Sequence, residues 1–558
     1  MSGMAVTERA RAQLPPLGTA PPGIVSPLPG IAPIVPPVAR PASVAPAEVP
    51  ASDMPDADVR ITEVRIEGST VYGATAFAAI TMQLVGTAIK LAAIDNGRLA
   101  ILQRYRADGY ALTAVTAIIA ADGLLRLRVT EGRIAEVKLD GDIGPAGVQV
   151  LRFLARLTEK PAIDAATLER YLLLAGDVPG VNVRAVLRPS TDEPGALTLV
   201  AQVSRQAITG QITADNRAFL RVGPEQMLGV ADFNSFSEYG EHTQIQLYRT
   251  FNGAQIFGMA TADFFLGGSG LRVRLVAGAG VSTPTGSFRS IGYVGQTALL
   301  GAELTYPIIR SRQQTLNLTG TFDVVEGTIT QNRQVASFDA LRILRFGGEY
   351  VFSDALLGDS RGAVNAISVR VSHGLDVLGT GSVNGRTDQR NDFTKISLDA
   401  SRAQTLFQPW DGASVALLGI VSGQFTRDVL PPAEKFFLGG SRLTRGFYFG
   451  QITGDKALAM TLEIQLNTST EQNFFGTQFD IAAQFYGFFD WAETWETPKD
   501  DRGRRLRSAG LGLRLIPSPR YEIDLEAVRR ITRYPTGSGA GIAPLPLHAI
   551  YWRLLARF

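Results

Sequence analysis

Residues 458–467 read LAMTLEIQLN, and residues 480–491 read DIAAQFYGFFDW. In the first stretch Leu458, Met460, Leu462, Ile464 and Leu466 fall on one face of an extended chain. Ala459, Thr461, Glu463, Gln465 and Asn467 fall on the other. In the second, Ile481, Ala483, Phe485, Gly487, Phe489 and Trp491 oppose Asp480, Ala482, Gln484, Tyr486, Phe488 and Asp490. Side chains that change face at every residue belong to a strand, because a helix repeats every 3.6. In both stretches one face is oily and the other gathers most of the polar groups. Each strand therefore separates two different media.

The same alternation recurs outward from these two segments. Sixteen strands are predicted near 207–217, 225–237, 240–251, 255–265, 271–281, 294–306, 312–325, 338–351, 363–374, 392–404, 412–426, 456–468, 478–490, 505–516, 520–530 and 548–558. An even number of alternating strands of about ten residues is the pattern of an outer-membrane barrel. A soluble sandwich alternates too. Two features favour closure into a barrel. The strands follow one another as a meander through residues 206–558, and the chain ends inside a strand, LHAIYWRLLARF, whose row Ile550, Trp552, Leu554, Ala556, Phe558 runs to the last residue. Trp491, Trp495, Tyr551 and Trp552 are expected in the aromatic girdles of such a barrel.

The N-terminal part differs. Residues 59–134 read as strand, helix (74–89), helix (91–106) and a hairpin turning at Ala121-Asp122-Gly123, since Asp-Gly is a strong turn signal. Residues 135–205 repeat that order, with helices at 146–157 and 164–175 and a turn at Glu193-Pro194-Gly195. Matching element order in tandem is an internal repeat. Residues 1–58 hold thirteen of the thirty prolines and are expected to be an extended tether.

Composition excludes several classes of function. There is no cysteine, so thiol nucleophiles, disulfides and zinc–thiolate sites are absent. His242, His373 and His548 are far apart, and the net charge of +2 is dispersed rather than gathered into a nucleic-acid face. No phosphate-binding loop or nucleophile elbow occurs. No catalytic residue, cofactor or metal is therefore expected, and no nucleic-acid partner. No apolar run reaches the roughly 18 residues of a helical span, and the best candidate, 77–89, is broken by Thr81, Gln83 and Thr87. Residues 1–16 lack the apolar core of a signal peptide, and only 4–14 could form an N-terminal plug helix.

Two such modules ahead of a sixteen-stranded barrel resemble the two-partner secretion outer-membrane transporters, the hemolysin secretion and activation proteins. Their superfamily includes the outer-membrane insertases. The modules resemble POTRA domains. The first carries Tyr105, Gly109, Tyr110 and Val129-Thr130-Glu131-Gly132-Arg133-Ile134. The second carries Gly176-Asp177-Val178-Pro179-Gly180 and Pro194-Gly195-Ala196-Leu197. The resemblance implies POTRA domains at 59–134 and 135–205, a barrel at 206–558 and an inward loop at 427–455.

That loop contains residues 439–455, GGSRLTRGFYFGQITGD. Leu443-Thr444-Arg445-Gly446-Phe447 stands where the family has a Val-Arg-Gly-Tyr-like tip, with Thr444 for the valine and Phe447 for the tyrosine. Phe488-Phe489-Asp490-Trp491-Ala492 resembles the family's Phe-x-Asp-x-Gly wall motif, with Ala492 for the glycine. The resemblance implies that Arg445, Gly446 and Phe447 form a lumenal loop motif. It implies that Asp490 and Phe488 are its wall partner, and that Trp552 and Phe558 belong to a C-terminal assembly signal. Physics points the same way. Asp490 shares a face with Gln484 and Asp480, and a lumenal carboxylate beside Phe488 is poorly solvated, so an arginine delivered by the loop would pair with it in a fork. The residues alone leave open a solvated Arg445 and an Asp490 that merely lines a wet channel. Arg502, Arg504, Arg505 and Arg507 read as a solvated strand entrance.

The implied function is secretion of a large exoprotein, such as a hemolysin or adhesin. The POTRA domains would capture its unfolded N-terminal secretion domain in the periplasm of a Gram-negative bacterium. Outer-membrane lipid and, during biogenesis, the barrel assembly machinery are the other implied partners. The alternative is an insertion factor for other barrels, although two modules favour secretion. A passive porin would not need the modules.

Overall fold

In the first module Asp58–Ile61 pairs antiparallel with Gly86–Lys90. The segment 74–89, expected as one helix, is instead a short 3-10 turn, a helix at Ala78–Gln83, and then this strand. Gly86 disfavours helix by about 1 kcal/mol. Thr87 and Ile89 suit an extended chain, and pairing gives the backbone of the first strand a partner. Helix Leu91–Ala107 buries Ile94, Ile101, Leu102 and Tyr105 on one stripe against Leu125, Leu127 and Val129. Strand Leu124–Thr130 lies between Glu63–Glu67, which is parallel to it, and Ala114–Ile119, which is antiparallel.

Two motif residues of this module, Tyr105 and Glu131, meet at the Glu131 carboxylate. Glu131 accepts hydrogen bonds from the backbone N–H of Thr70 (2.9 Å) and Val71 (3.0 Å), from the Tyr105 hydroxyl (2.7 Å) and from the Thr70 hydroxyl. Burial pushes the Glu131 carboxyl up, but these donors together hold it below the usual glutamate range. A carboxyl lowered by folding stabilises the module above its unfolded pKa and loses that contribution as pH falls through the folded value. The Thr70 and Val71 amides are therefore expected to exchange faster, relative to their intrinsic rates, only once the pH has fallen below the usual glutamate range. Glu131→Gln should give the same fast exchange at pH 7, at a cost of about 1.5–3 kcal/mol. Hydrogen-exchange mass spectrometry of the full chain checks both.

The computed structural model describes residues 57–190, 193–474, 477–497, 503–535 and 543–558. Nearly all of the proline-rich stretch expected as a tether, and the 4–14 segment weighed as a plug, lie outside the described residues.

The second module repeats the order, with helix Ala146–Leu154, helix Ala165–Gly176 and a sheet in which Ala196–Arg205 lies between Arg133–Asp140 and Val181–Pro189. It sits against the barrel. Arg310 forks onto Asp177 at 2.6 and 2.8 Å, Arg170 donates to the Pro307 carbonyl at 2.7 Å, and Arg152 bonds Glu238 at 2.9 Å. Phe153 meets Phe265 edge-on at 5.2 Å.

Sixteen antiparallel strands, counted among the described residues, close into a barrel. They are β1 Ile208–Asp215, β2 Gln226–Asn234, β3 His242–Thr250, β4 Gln255–Phe265, β5 Arg272–Ser282, β6 Val294–Arg310, β7 Gln314–Gln331 and β8 Gln334–Asp354. Then follow β9 Ala363–Gly374, β10 Thr394–Phe407, β11 Ser414–Thr426, β12 Lys456–Phe474, β13 Thr477–Trp495, β14 Arg504–Ser518, β15 Tyr521–Arg530 and β16 His548–Arg557. Every strand expected from the sequence is present. The faces also fall as read: Phe489 is 45% exposed on the outside while its neighbour Asp490 is fully buried within. Sixteen is even, so β1 starts and β16 ends at the same rim, the one that carries the second module. Phe558 seals the seam. Its N–H donates to the Gly210 carbonyl (3.0 Å), and its carbonyl accepts from Gly210 (2.9 Å).

Candidate functional site

The connection from β11 to β12, residues 427–455, turns back into the lumen. Its stem is a two-stranded hairpin, Phe436–Leu438 against Ile452–Gly454. Its underside is apolar. Leu438, Leu443, Phe447 and Ile452 pack on Leu418, Ile420, Ala459, Ala492 and Leu506 of the wall. This patch accounts for an aromatic loop inside a polar pore, since fully burying Phe447 contributes roughly 1.5–3 kcal/mol. Phe449 stacks on Phe437 at 5.7 Å, and Tyr448 meets Tyr551 edge-on at 5.9 Å. Ala492, which stands where the wall motif has glycine, is fully buried in the same patch, so its methyl group is accommodated.

At the tip the backbone touches the wall. A Cβ at Gly446 would stand 2.5 Å from the Ser508 Cβ and 2.9 Å from the Val528 Cγ1, so only glycine fits. The Gly446 carbonyl accepts from Arg530 Nε (2.6 Å) and from the Tyr551 hydroxyl (2.9 Å), and Arg530 Nη2 also donates to that hydroxyl (2.8 Å).

Arg445 points into the wall and is 5% exposed. Its N–H donates to Asp490 Oδ2 at 2.7 Å, and its Nη2 lies 3.4 Å from Asp490 Oδ1. Nη1 bonds Glu463 and lies 3.9 Å from Glu526. The guanidinium stacks over Phe488, 3.7 Å from the ring centre. The expected partners thus meet, but the fork is shared: Asp490 holds the backbone and one nitrogen, while Glu463 holds another. Thr461 completes Asp490 with a hydroxyl at 3.0 Å.

Strand register explains how five strands supply one site. Inward rows cross the wall as Thr461, Asp490, Ser508, Arg530, then Glu463, Phe488, Gly510, Val528, then Gln465, Tyr486, Gly512, Glu526, Tyr551. The rings of Phe488 and Tyr486 lie over the two glycines of β14. A Cβ would come within 2.7 Å of the first ring at Gly510 and 2.2 Å of the second at Gly512. A polar cavity of about 170 Å³ adjoins the tip, lined by Arg217, Arg445, Arg514, Asp524 and Glu526 among others.

The stem is held by a second ionic cluster. Glu434 bonds Arg345 of β8 at 2.8 and 3.0 Å and Lys395 of β10 at 2.9 Å. Asp455 bonds Arg386 at 2.6 Å, Arg386 bonds Glu496 at 2.7 Å, and Glu496 bonds Lys435 at 2.6 Å. Arg504 donates to the Thr453 carbonyl at 3.3 Å and to Glu496 at 3.1 Å. Two residues differ from expectation. Arg504 clasps the stem rather than lying free in solvent. Tyr551 is lumenal rather than in a girdle, because it alternates with Ile550 and Trp552 and so faces inward. The Trp552 N–H donates to the Asn216 side chain at 3.0 Å, across the seam. Sequence reasoning missed Glu463, Glu526, Arg530 and Glu434. A signal existed for the first, since Glu463 is the one charge on the polar face of 458–467.

A barrel that follows small modules of this kind has counterparts among known proteins. The haemolysin secretion/activation proteins ShlB/FhaC/HecB match over residues 279–515, and the ShlB-type POTRA domain matches over residues 59–132. The chain is similar to this family in its first module and through most of its barrel. It is a two-partner secretion transporter, a barrel of the outer membrane with periplasmic POTRA domains and a secreted exoprotein as its partner. The heme/hemopexin transporter protein HuxB of Haemophilus influenzae strain 86-028NP is 22% identical over 480 residues, covering 81% of this chain and 79% of HuxB. HuxB of strain ATCC 51907 / DSM 11121 / KW20 / Rd is 21% identical over 473 residues, with the same coverage. Among solved structures, CdiB from Escherichia coli superposes with a TM-score of 0.72 at 18% identity, covering 92% of this chain and 93% of that one. CdiB from Acinetobacter baumannii gives 0.62 at 16%, covering 90% and 91%. Both share the fold of this transporter.

Proposed function

We propose that this transporter captures one large, unfolded exoprotein in the periplasm of a Gram-negative bacterium and conducts it outward through the barrel. The observation that carries the reading is Arg445, held by its own backbone and by two carboxylates on the wall. A buried charge paired this closely fixes the loop in one place inside the pore, as a gate requires and a passive channel does not. Domain limits at 59–134, 135–205 and 206–558 fit this division of labour. Capture falls to the modules, where strand Ala114–Ile119 forms a sheet edge with exposed Ile118 and Ile119. Such an edge takes up an extended chain by backbone bonding. The polar lumen then solvates the backbone in transit. Folding of the cargo outside supplies direction without nucleotide hydrolysis. The oily outer face contacts membrane lipid, Trp552 and Phe558 close the seam that the barrel assembly machinery completes, and the chain performs no catalysis.

Deleting the gene should remove one large protein from the culture medium while the other outer-membrane proteins assemble normally. Quantitative proteomics of medium and outer membrane reads both. A general loss of barrels, with the medium unchanged, would replace this reading with insertion of other barrels.

A further inference from the structure

β12 and β13 are longer than the wall they belong to. They pair with each other from Lys456↔Trp495 to Phe474↔Thr477. β11 stops pairing with β12 at Ser414↔Asn467, and β14 stops pairing with β13 at Ala482↔Ile516. Among the described residues, five cross-strand pairs, Thr470↔Ile481 to Phe474↔Thr477, thus have no neighbouring strand on either side. This ribbon leaves the rim that carries the POTRA domains and reaches about 20 Å at the rise of an extended chain. The long hairpin at the other rim is different. There β7 is paired with β6 as far as Thr330, and β8 is backed by Gly381–Val383.

A two-stranded ribbon is marginally stable alone, and a free strand edge is a template for another strand. Residues 468–481 contain no lysine and no proline, and their only charges are the facing pair Glu471 and Asp480. The vacant column beside 468–474 is also placed with purpose. It continues the line of β11 past the rim, so a strand added there ends at the mouth of the pore. The β10–β11 turn at its head presents Trp410, 54% exposed.

We infer that the β12–β13 ribbon is a docking edge for an extended segment of the exported polypeptide, handed from the POTRA domains and aligned there before it enters the lumen. The inference rests on the transport reading above. The occupant is extended because only extended backbone satisfies a strand edge. It is the exported chain because that chain is presented unfolded at this rim.

The test uses the full transporter and, as probe, the exoprotein whose release into the medium is lost on deleting the gene. Residues 470–481 are replaced by Asn-Gly, a two-residue turn that suits the Ser469↔Ala482 pair. Barrel insertion should be unchanged and secretion should fall about tenfold, since one or two backbone bonds are worth that factor. In parallel, Ser469→Cys is cross-linked in the otherwise cysteine-free chain to cysteines placed along the exoprotein, with Ile118→Cys on the module edge as reference. Cross-links at both positions are expected. Cross-links at Ile118→Cys alone, normal secretion after the replacement, or a disulfide between two Ser469→Cys copies would each overturn the docking edge while transport stands. Cross-links at neither position would overturn both.

Discussion

An Arg445→Ala transporter is expected to release no exoprotein, although its barrel still forms and inserts. Removing the guanidinium leaves Asp490, Glu463 and Glu526, all at most 5% exposed, facing one another without their shared cation. Breaking a buried pair in this way costs about 3–5 kcal/mol, which depopulates the docked tip by a factor of at least one hundred. The outward faces of the strands, which drive insertion, are untouched. Arg445→Lys should not restore secretion, because an ammonium cannot reach two carboxylates as a planar fork while lying flat over Phe488. Asp490→Asn should be milder. Its amide oxygen still accepts the Arg445 N–H, and Glu463 still neutralises the side chain. The measurement is exoprotein in the medium beside the amount of heat-modifiable barrel in the membrane. Wild-type secretion by Arg445→Ala would remove the latch from the mechanism.

Part of the Arg445 site is legible in the sequence and part is hidden. The strands and their faces were readable because a membrane barrel imposes one rule on every strand, oily out and wet in, and a period of two survives in a single sequence. The same rule placed Asp490 inward. It could not say which residues lie beside Asp490, because register between strands is set by turns and pairing rather than by composition. Glu463, Ser508 and Arg530 sit on three other strands and converge only once the register is known. Tyr551 was misplaced for a simpler reason. Its aromatic character was weighed above its position in the alternation. At 86–90 the expected helix gave way to a strand because its partner, 58–61, lies nearly thirty residues upstream, beyond any local periodicity. The ribbon was only half legible: β13 is read from residue 478, but the all-polar run 468–473 carries no alternation that would extend β12.

Replacing Glu434 should loosen the same loop at its root rather than at its tip. Glu434 is 5% exposed and joins the loop to two wall strands through Arg345 and Lys395. In Glu434→Gln, Arg345 keeps Asp323 at 2.7 Å. Lys395 is left with two neutral acceptors, the Gln424 side chain at 3.1 Å and the backbone carbonyl of residue 434 at 2.7 Å. An ammonium buried on neutral partners again costs about 3–5 kcal/mol. The stem can relieve this by moving away and admitting water, so the pore should conduct ions more freely and less steadily in planar bilayers. Cells should become sensitive to bulky antibiotics. A second substitution separates this cause from general misfolding. Exchanging a buried ion pair for apolar groups is often neutral, so Glu434→Gln with Lys395→Met removes the stranded charge and should restore quiet conductance. If the double variant leaks as much as the single one, the charge on Lys395 is not what drives the stem from the wall.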